Sequence, residues 1–182
     1  MIQPFLEAVC HVCERPFLRM NTFQVVCGVR CARKVPVIKR KAERAADKAK
    51  RERLKPRKQW LDEAQVAVNR YVRLRDVALG CVSCDRPPSW DGQWHASHFR
   101  SVGAASAVRF NLWNIHKACS ICNNWKSGNL SEYEPRLRER IGDDKVNWLR
   151  AQNHRADYSV EFLKRLKRVF KKKADRIIRG QQ

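Results

Sequence analysis

Eight cysteines fall into four close pairs, Cys10/Cys13, Cys27/Cys31, Cys81/Cys84 and Cys119/Cys122. A C-x2-C turn places two thiolates within reach of one ion, and zinc takes four such ligands tetrahedrally. Two structural Zn2+ sites are therefore expected in preference to disulfides. The N-terminal run Met1-Ile2-Gln3-Pro4-Phe5 lacks the basic start and long apolar stretch of a secretory signal, so the chain is expected where thiols stay reduced. The first set, Cys10, Cys13, Cys27 and Cys31, closes a short loop and predicts a compact finger. Its four thiolates satisfy the ion, so His11 is a bystander. The second set, Cys81, Cys84, Cys119 and Cys122, closes a much longer loop and holds everything inside it near one metal.

That longer loop carries the remaining chemistry. Between Cys81 and Ser131 the only acids are Asp85 and Asp91, too few for a carboxylate cluster holding two magnesium ions. The same stretch supplies His95, His98, Asn114, His116 and Asn123. A site whose base is an imidazole, with an unperturbed pKa of about 6.5, fits this supply. His154 lies outside the stretch and reads as an ordinary residue.

The elements that position these residues follow from period and punctuation. Trp60, Leu61, Ala64, Val68, Tyr71 and Val72 recur at helical spacing and predict a core helix over residues 57–78, stopped by Gly80. After Cys81 the helical period is lost, and Asp91-Gly92 is a candidate hairpin turn. A helix should start at Cys119 and end near Gly128, giving strand, strand and helix across one zinc. Ser131-x-x-Glu134 reads as a capping box opening a helix with Tyr133, Leu137 and Ile141 on one face and Gly142 at its end. A last helix begins after Ser159. The fold class is α+β, mainly helical: a four-cysteine finger in residues 1–33, a basic helical arm in 34–55 ended by Pro56, and a zinc-stapled core with flanking helices in 56–182.

The order Cys81-x2-Cys84, then Trp94-His95-Ala96-Ser97-His98, then Asn114-Ile115-His116-Lys117-Ala118-Cys119-x2-Cys122-Asn123-x2-Lys126 resembles the HNH endonucleases of ββα-metal type. In that family a histidine on the first strand activates water, the middle asparagine orients it, and a residue on the following helix helps to hold a divalent metal. The resemblance implies an HNH-like core with His98 as general base and Asn114 orienting His98 or its loop. It implies His95 and Asn123 as ligands of a catalytic Mg2+ or Mn2+, and His116 as a further ligand or phosphate contact. Arg109, Lys117 and Lys126 are candidate DNA contacts. Many HNH enzymes carry the ligand immediately before the base, whereas His95 and His98 are three apart, so a bulge or turn at Ala96-Ser97 is required for them to point the same way. Without it Asp91 is the alternative ligand.

A wider set of runs narrows the resemblance: Leu54-Lys55-Pro56-Arg57, Arg109-Phe110-Asn111, Lys126-Ser127-Gly128-Asn129-Leu130 and Arg140-Ile141-Gly142. These look like the NinG/Rap recombination proteins of lambdoid phages. The resemblance implies a structure-specific endonuclease acting on Holliday junctions and D-loops in phage recombination, with other recombination proteins as possible partners. It would work in the host cytoplasm, at the nucleoid.

Charge points the same way. With 39 Lys+Arg against 18 Asp+Glu the formal charge is +21, which an enzyme of neutral metabolites does not need and which repels itself unless an anion is bound. No apolar run is long enough for a membrane span. Lys41, Arg44, Lys48 and Arg51 in the basic arm, and Lys167 and Lys171 in the last helix, are expected to contact phosphates without reading sequence. Cutting a four-way junction symmetrically needs two active sites, so a homodimer is expected. The rival readings are an HNH nicking or homing endonuclease acting on duplex DNA, and a zinc protein that binds DNA or RNA without cutting.

Overall fold

The computed structural model describes residues 6–180 and divides into two units at Lys55/Pro56. The first five residues, read above for targeting, lie outside it. In the first unit β1 (Leu6–Val9) and β2 (Pro16–Arg19) pair antiparallel, with Val9 opposite Pro16. The turn between them is a metal knuckle in form: the Cys10 amide donates to the Arg15 carbonyl (2.9 Å), and Glu14 adopts φ 57°. A single turn, α1 (Val29–Ala32), delivers Cys31, and α2 (Val35–Leu54) follows. α2 buries no residue, so it rests on the helix propensity of its Ala, Lys, Arg and Glu rather than on packing. Pro56 holds Lys55 extended (φ −67°, ψ 123°) and ends the helix.

The second unit starts with α3 (Arg57–Arg75), whose Trp60, Ala64, Val68 and Val72 repeat every four residues and form its buried face. The antiparallel hairpin of β3 (Trp94–His98) and β4 (Ile115–Cys119) lies against it, followed by a tight turn with π-helical bonding at Ile121–Trp125. Then come α4 (Leu130–Ile141), α5 (Asp143–Ala151) and α6 (Val160–Gly180). Two apolar cores flank the hairpin. One joins α3 and α6 through Trp60, Val68, Leu163 and Phe170 and takes in Ile115; the other joins the cysteine knuckle to α4 and α5 through Val82, Tyr133, Leu137 and Leu149 and takes in Ala118. β4 is therefore covered on both faces, and all five of its residues are buried.

Several expectations about these elements are corrected. α3 stops at Arg75, and Gly80 serves the knuckle instead: a Cβ there would lie 2.5 Å from the Arg86 carbonyl oxygen, across the Cys81–Arg86 backbone bond. Asp91-Gly92 precedes β3 and is not the hairpin turn; the strands are joined by residues 99–114, which include a short 3-10 turn at Ser106–Val108. The Trp90 ring covers Gly92, 2.2 Å from where a Cβ would sit, so a larger residue there would have to displace the indole. The capping box does not form. Asn129 occupies the cap position of α4 with φ 51°, its side-chain amide bonds the Ser83 carbonyl (2.6 Å), and Glu134 pairs with Arg138 and Arg150. α5 follows α4 directly through Gly142 at φ 88°.

Candidate functional site

Each cysteine set brings its four sulfurs within 4.8 Å of one another. A tetrahedron of about 2.3 Å Zn–S bonds has edges of about 3.8 Å. The observed separations are 3.6 Å for Cys13–Cys27 and Cys27–Cys31, and 3.9 Å for Cys84–Cys119, so both tetrads can hold zinc. Backbone amides already point at the sulfurs. Ser83 and Cys119 donate to Cys81 Sγ (3.4 and 3.3 Å), and Cys122 donates to Cys119 Sγ (3.4 Å). The Arg86 guanidinium adds contacts of 3.2 and 3.5 Å to Cys84 and Cys119 and lies over Trp90. Burial raises the Cys84 thiol, but hydrogen bonds from the Arg86 backbone and side chain outweigh it and draw it down to about 7. Burial and the bond to Cys119 push Cys122 up. Four thiolates cannot ionise together in this space unless a cation joins them, and a divalent metal supplies that charge.

The hairpin carries the polar residues. His98 Nε2 lies 3.0 Å from the Arg109 carbonyl oxygen. A carbonyl only accepts, so Nε2 bears the proton and Nδ1 keeps its lone pair. Burial lowers the pKa of this imidazole and keeps it neutral at pH 7. Asn114, fully buried, bonds the loop rather than the ring: its Oδ1 accepts from Arg100 N–H (2.7 Å), and its Nδ2 donates to the Arg100 and Val108 carbonyls (both 3.1 Å). These three bonds fix the loop that sets the Arg109 carbonyl against His98. His95 Nδ1 and Asn123 Nδ2 are brought to 3.3 Å. Among the described residues, groups of three or more His, Cys or acidic side chains able to hold a metal are the two cysteine tetrads. A cation at His95 and Asn123 would therefore complete its shell with water or substrate oxygens.

The bulge that a shared direction for His95 and His98 requires is absent. The ladder runs unbroken from Trp94↔Cys119 to His98↔Ile115. An offset of three residues has the parity of an offset of one, so the two side chains leave opposite faces, about 10 Å apart along the strand. Asp91, the alternative ligand, is exposed on the segment leading into β3.

Burial covers two further candidates. His116 is 5 % exposed; burial and the nearby Arg75 charge push its pKa down to about 4, and its Nδ1 meets the Tyr133 hydroxyl (3.4 Å), which donates to the Ser97 carbonyl (3.0 Å). It is held neutral among packed side chains. Lys117 is 3 % exposed, donates to the Val77 carbonyl (3.0 Å) and lies over the Trp94 ring, so it is no DNA contact. Arg109 is half-buried and donates to Gln65 Oε1 (2.8 Å). Lys167 is paired with Glu63 (2.8 Å) beside Trp60, while Lys126, Lys171 and all four of Lys41, Arg44, Lys48 and Arg51 are exposed.

Sequence reasoning passed over Asp76. This carboxylate, 3 % exposed, takes both Arg75 Nε (2.6 Å) and Nη2 (2.8 Å) and the Lys117 amide (3.0 Å), while Arg75 reaches the Leu112 and Ile115 carbonyls. Burial raises its pKa, but the Arg75 bond and charge overcome this and lower it. The pair ties the end of α3 to β4. Its sequence signal was an acid at a helix C-terminus, where the helix dipole disfavours it without a cationic partner.

Comparison with known proteins places the chain among phage proteins. Residues 3–179 match the family described as Bacteriophage Lambda NinG protein. The chain is 42% identical over 120 residues to Protein ninG of Escherichia phage lambda, covering 66% of this chain and 58% of that protein. It is also 42% identical over 120 residues to Protein ninG of Escherichia phage 933W (66% and 59%) and of Salmonella phage P22 (66% and 58%). The matched region thus spans less than two thirds of each relative. No solved structure matches.

Proposed function

The chain belongs to the NinG family, and from that premise we propose that it is an HNH-like, structure-specific DNA endonuclease that cleaves branched recombination intermediates such as Holliday junctions and D-loops. The observation that carries the reading is the 3.3 Å approach of Asn123 to His95, which are 28 residues apart and meet where the turn after β4 passes the hairpin. Supporting it are the strand, strand and helical turn clasped by one tetrad, the single tautomer of His98, and the +21 charge.

In this reading His98 Nδ1 takes the proton from the attacking water, while the Arg109 carbonyl holds its Nε2–H and Asn114 holds the loop that presents that carbonyl. His95 and Asn123 would hold the divalent cation once the Asn123 amide turns its oxygen towards it, and a nitrogen and an amide oxygen suit Mn2+ better than Mg2+; because β3 sends His95 to the face opposite His98, the ion would supply charge at the phosphate that His98 addresses only if the strand turns at Ala96-Ser97 when DNA binds. Lys126 would add a phosphate contact beside it. The exposed cations of α2 and Lys171 would bind DNA backbone. Two copies of the chain would cut opposing strands, in the host cytoplasm and in company with other phage recombination proteins. Among the described residues no helix is long and apolar enough to cross a membrane.

A second reading is favoured by the unbroken β3–β4 ladder, which sends His95 and His98 to opposite faces: a zinc-stapled protein that binds branched DNA without cutting it. A labelled four-way junction and a linear duplex of the same arm sequence, incubated with Mg2+, Mn2+ or no added cation, separate the two. Metal-dependent cutting of the junction by wild type, lost in His98→Ala and in Asn123→Ala, supports the endonuclease. Tight binding with no cutting in any metal leaves the second reading. Equal cutting of the duplex would point to a general HNH nuclease.

A further inference from the structure

Trp125 is 84% exposed, at the end of the tight turn that carries Asn123. An indole left in water forgoes a large burial energy, and its backbone is unusually constrained. Ser127 (φ 48°) and Asn129 (φ 51°) are two of the three non-glycine residues with positive φ among those described, and Gly128 between them has φ 90°. Such conformations are uncommon outside glycine and are held here from several sides. Lys126 N–H bonds the Ile121 carbonyl (3.2 Å), Gly128 N–H the Cys122 carbonyl (2.8 Å), and the Asn129 amide the Ser83 carbonyl (2.6 Å). The indole is thus mounted on a segment tied to a metal ligand, two residues from Asn123, with exposed Asn124 and Lys126 on either side. Residues 92–131 contain no acid at all, so the surrounding segment attracts a polyanion and repels a basic partner.

We infer that Trp125 is a stacking platform for a base left unpaired or unstacked at a DNA branch, and so a residue that selects branched over linear DNA. This rests on the proposal that branched DNA is the substrate, but it does not require that the DNA be cut. A duplex interior offers no free base face, whereas a junction centre does, and an aromatic ring accepts any base by its π face. Because the backbone that carries the ring is already held, only the side-chain torsions of the indole must order when a base arrives.

The test uses the full-length zinc-loaded protein without added Mg2+ or Mn2+. Affinity is measured for a four-way junction carrying 2-aminopurine at its branch point and for a linear duplex of the same arm sequence. Trp125→Ala should weaken junction binding about ten-fold and duplex binding little, and should restore the 2-aminopurine fluorescence that wild type quenches. Trp125→Phe should keep most of the preference. The salt dependence should stay unchanged in both variants, whereas Lys126→Ala should weaken both DNAs alike and lower the log–log salt slope by about 0.9. Unchanged zinc content and melting of Trp125→Ala show that the fold is intact. An unaltered junction-to-duplex ratio in that folded variant overturns the inference, as does a wild type with no preference for the junction. Cutting is not read in this assay, so a protein that follows the expected pattern yet never cleaves would sink the endonuclease and leave the stacking role standing.

Discussion

The two cysteine tetrads have the same ligands and opposite surroundings. In the first, Cys13 and Cys27 are exposed, and around it Phe23, Met20, Val29 and Leu18 lie open to solvent. In the second, Cys81, Cys119 and Cys122 are buried within a core that includes Val82, Tyr133, Leu137 and Leu149. A metal held by these tetrads would be the scaffold of one unit and a staple in the other. Small domains without enough apolar burial depend on such cross-links, whereas a unit with two packed cores depends on them less.

The largest expected effect breaks the comparison open. Chelation should unfold the β1–β2 finger outright, since structural zinc contributes on the order of 10 kcal/mol or more to small metal modules. The α3–α6 pair of the second unit should persist. Hydrogen exchange read by unit checks this, and equal loss of protection in both units would erase the contrast. Next in size, Asp76→Ala should destabilise the second unit by roughly 3–5 kcal/mol, because it strands the Arg75 guanidinium against two backbone carbonyls. Urea melts of the two units, followed separately, would measure it, and a change below 1 kcal/mol would deny that this pair is a second staple.

A smaller effect comes from pH. The folded pKa of His116 is pushed down to about 4, below an unfolded value of about 6.5, so the unfolded state binds more protons between the two. Its contribution is present above pH 6.5 and lost as the pH falls towards 4, by roughly 3 kcal/mol. His116→Phe should flatten the acid side of the stability profile of the second unit, which denaturant midpoints from pH 7 to 4.5 would report. Asp76, lowered in the fold, adds a loss of the same sign at lower pH, below its unfolded value of about 3.9. The smallest effect is on α2. Lys41→Ala or Lys48→Ala should change stability by less than about 0.5 kcal/mol, yet each should lower the salt slope of DNA binding by about 0.9 if it contacts a phosphate.

The same asymmetry explains what could be read from the chain alone. Cysteine spacing marked both tetrads, because metal ligation imposes local distances that a sequence displays directly. The buried face of α3 and the start of α6 after Ser159, whose hydroxyl accepts from Phe162 N–H (3.2 Å), were equally local. The resemblance names His95 and Asn123 together as ligands of one ion, and the two side chains lie 3.3 Å apart. What failed depended on partners distant in sequence. Lys117 and His116 look like surface chemistry until β4 is covered from both sides, and Ser131 resembles a cap until Asn129 is drawn away by Ser83. The Asp91-Gly92 turn was misplaced because the real connection passes through a loop that Asn114 pins from within.

The exposure of Cys13 and Cys27 also gives the molecule an order of chemical vulnerability. Peroxide, nitric oxide donors or an alkylating reagent will reach the finger first, while Arg86, Trp90 and the surrounding core shelter the second tetrad. With a metal in each tetrad, an oxidant would then strip the N-terminal unit before the hairpin lost its own ion, an order of damage readable by thiol footprinting.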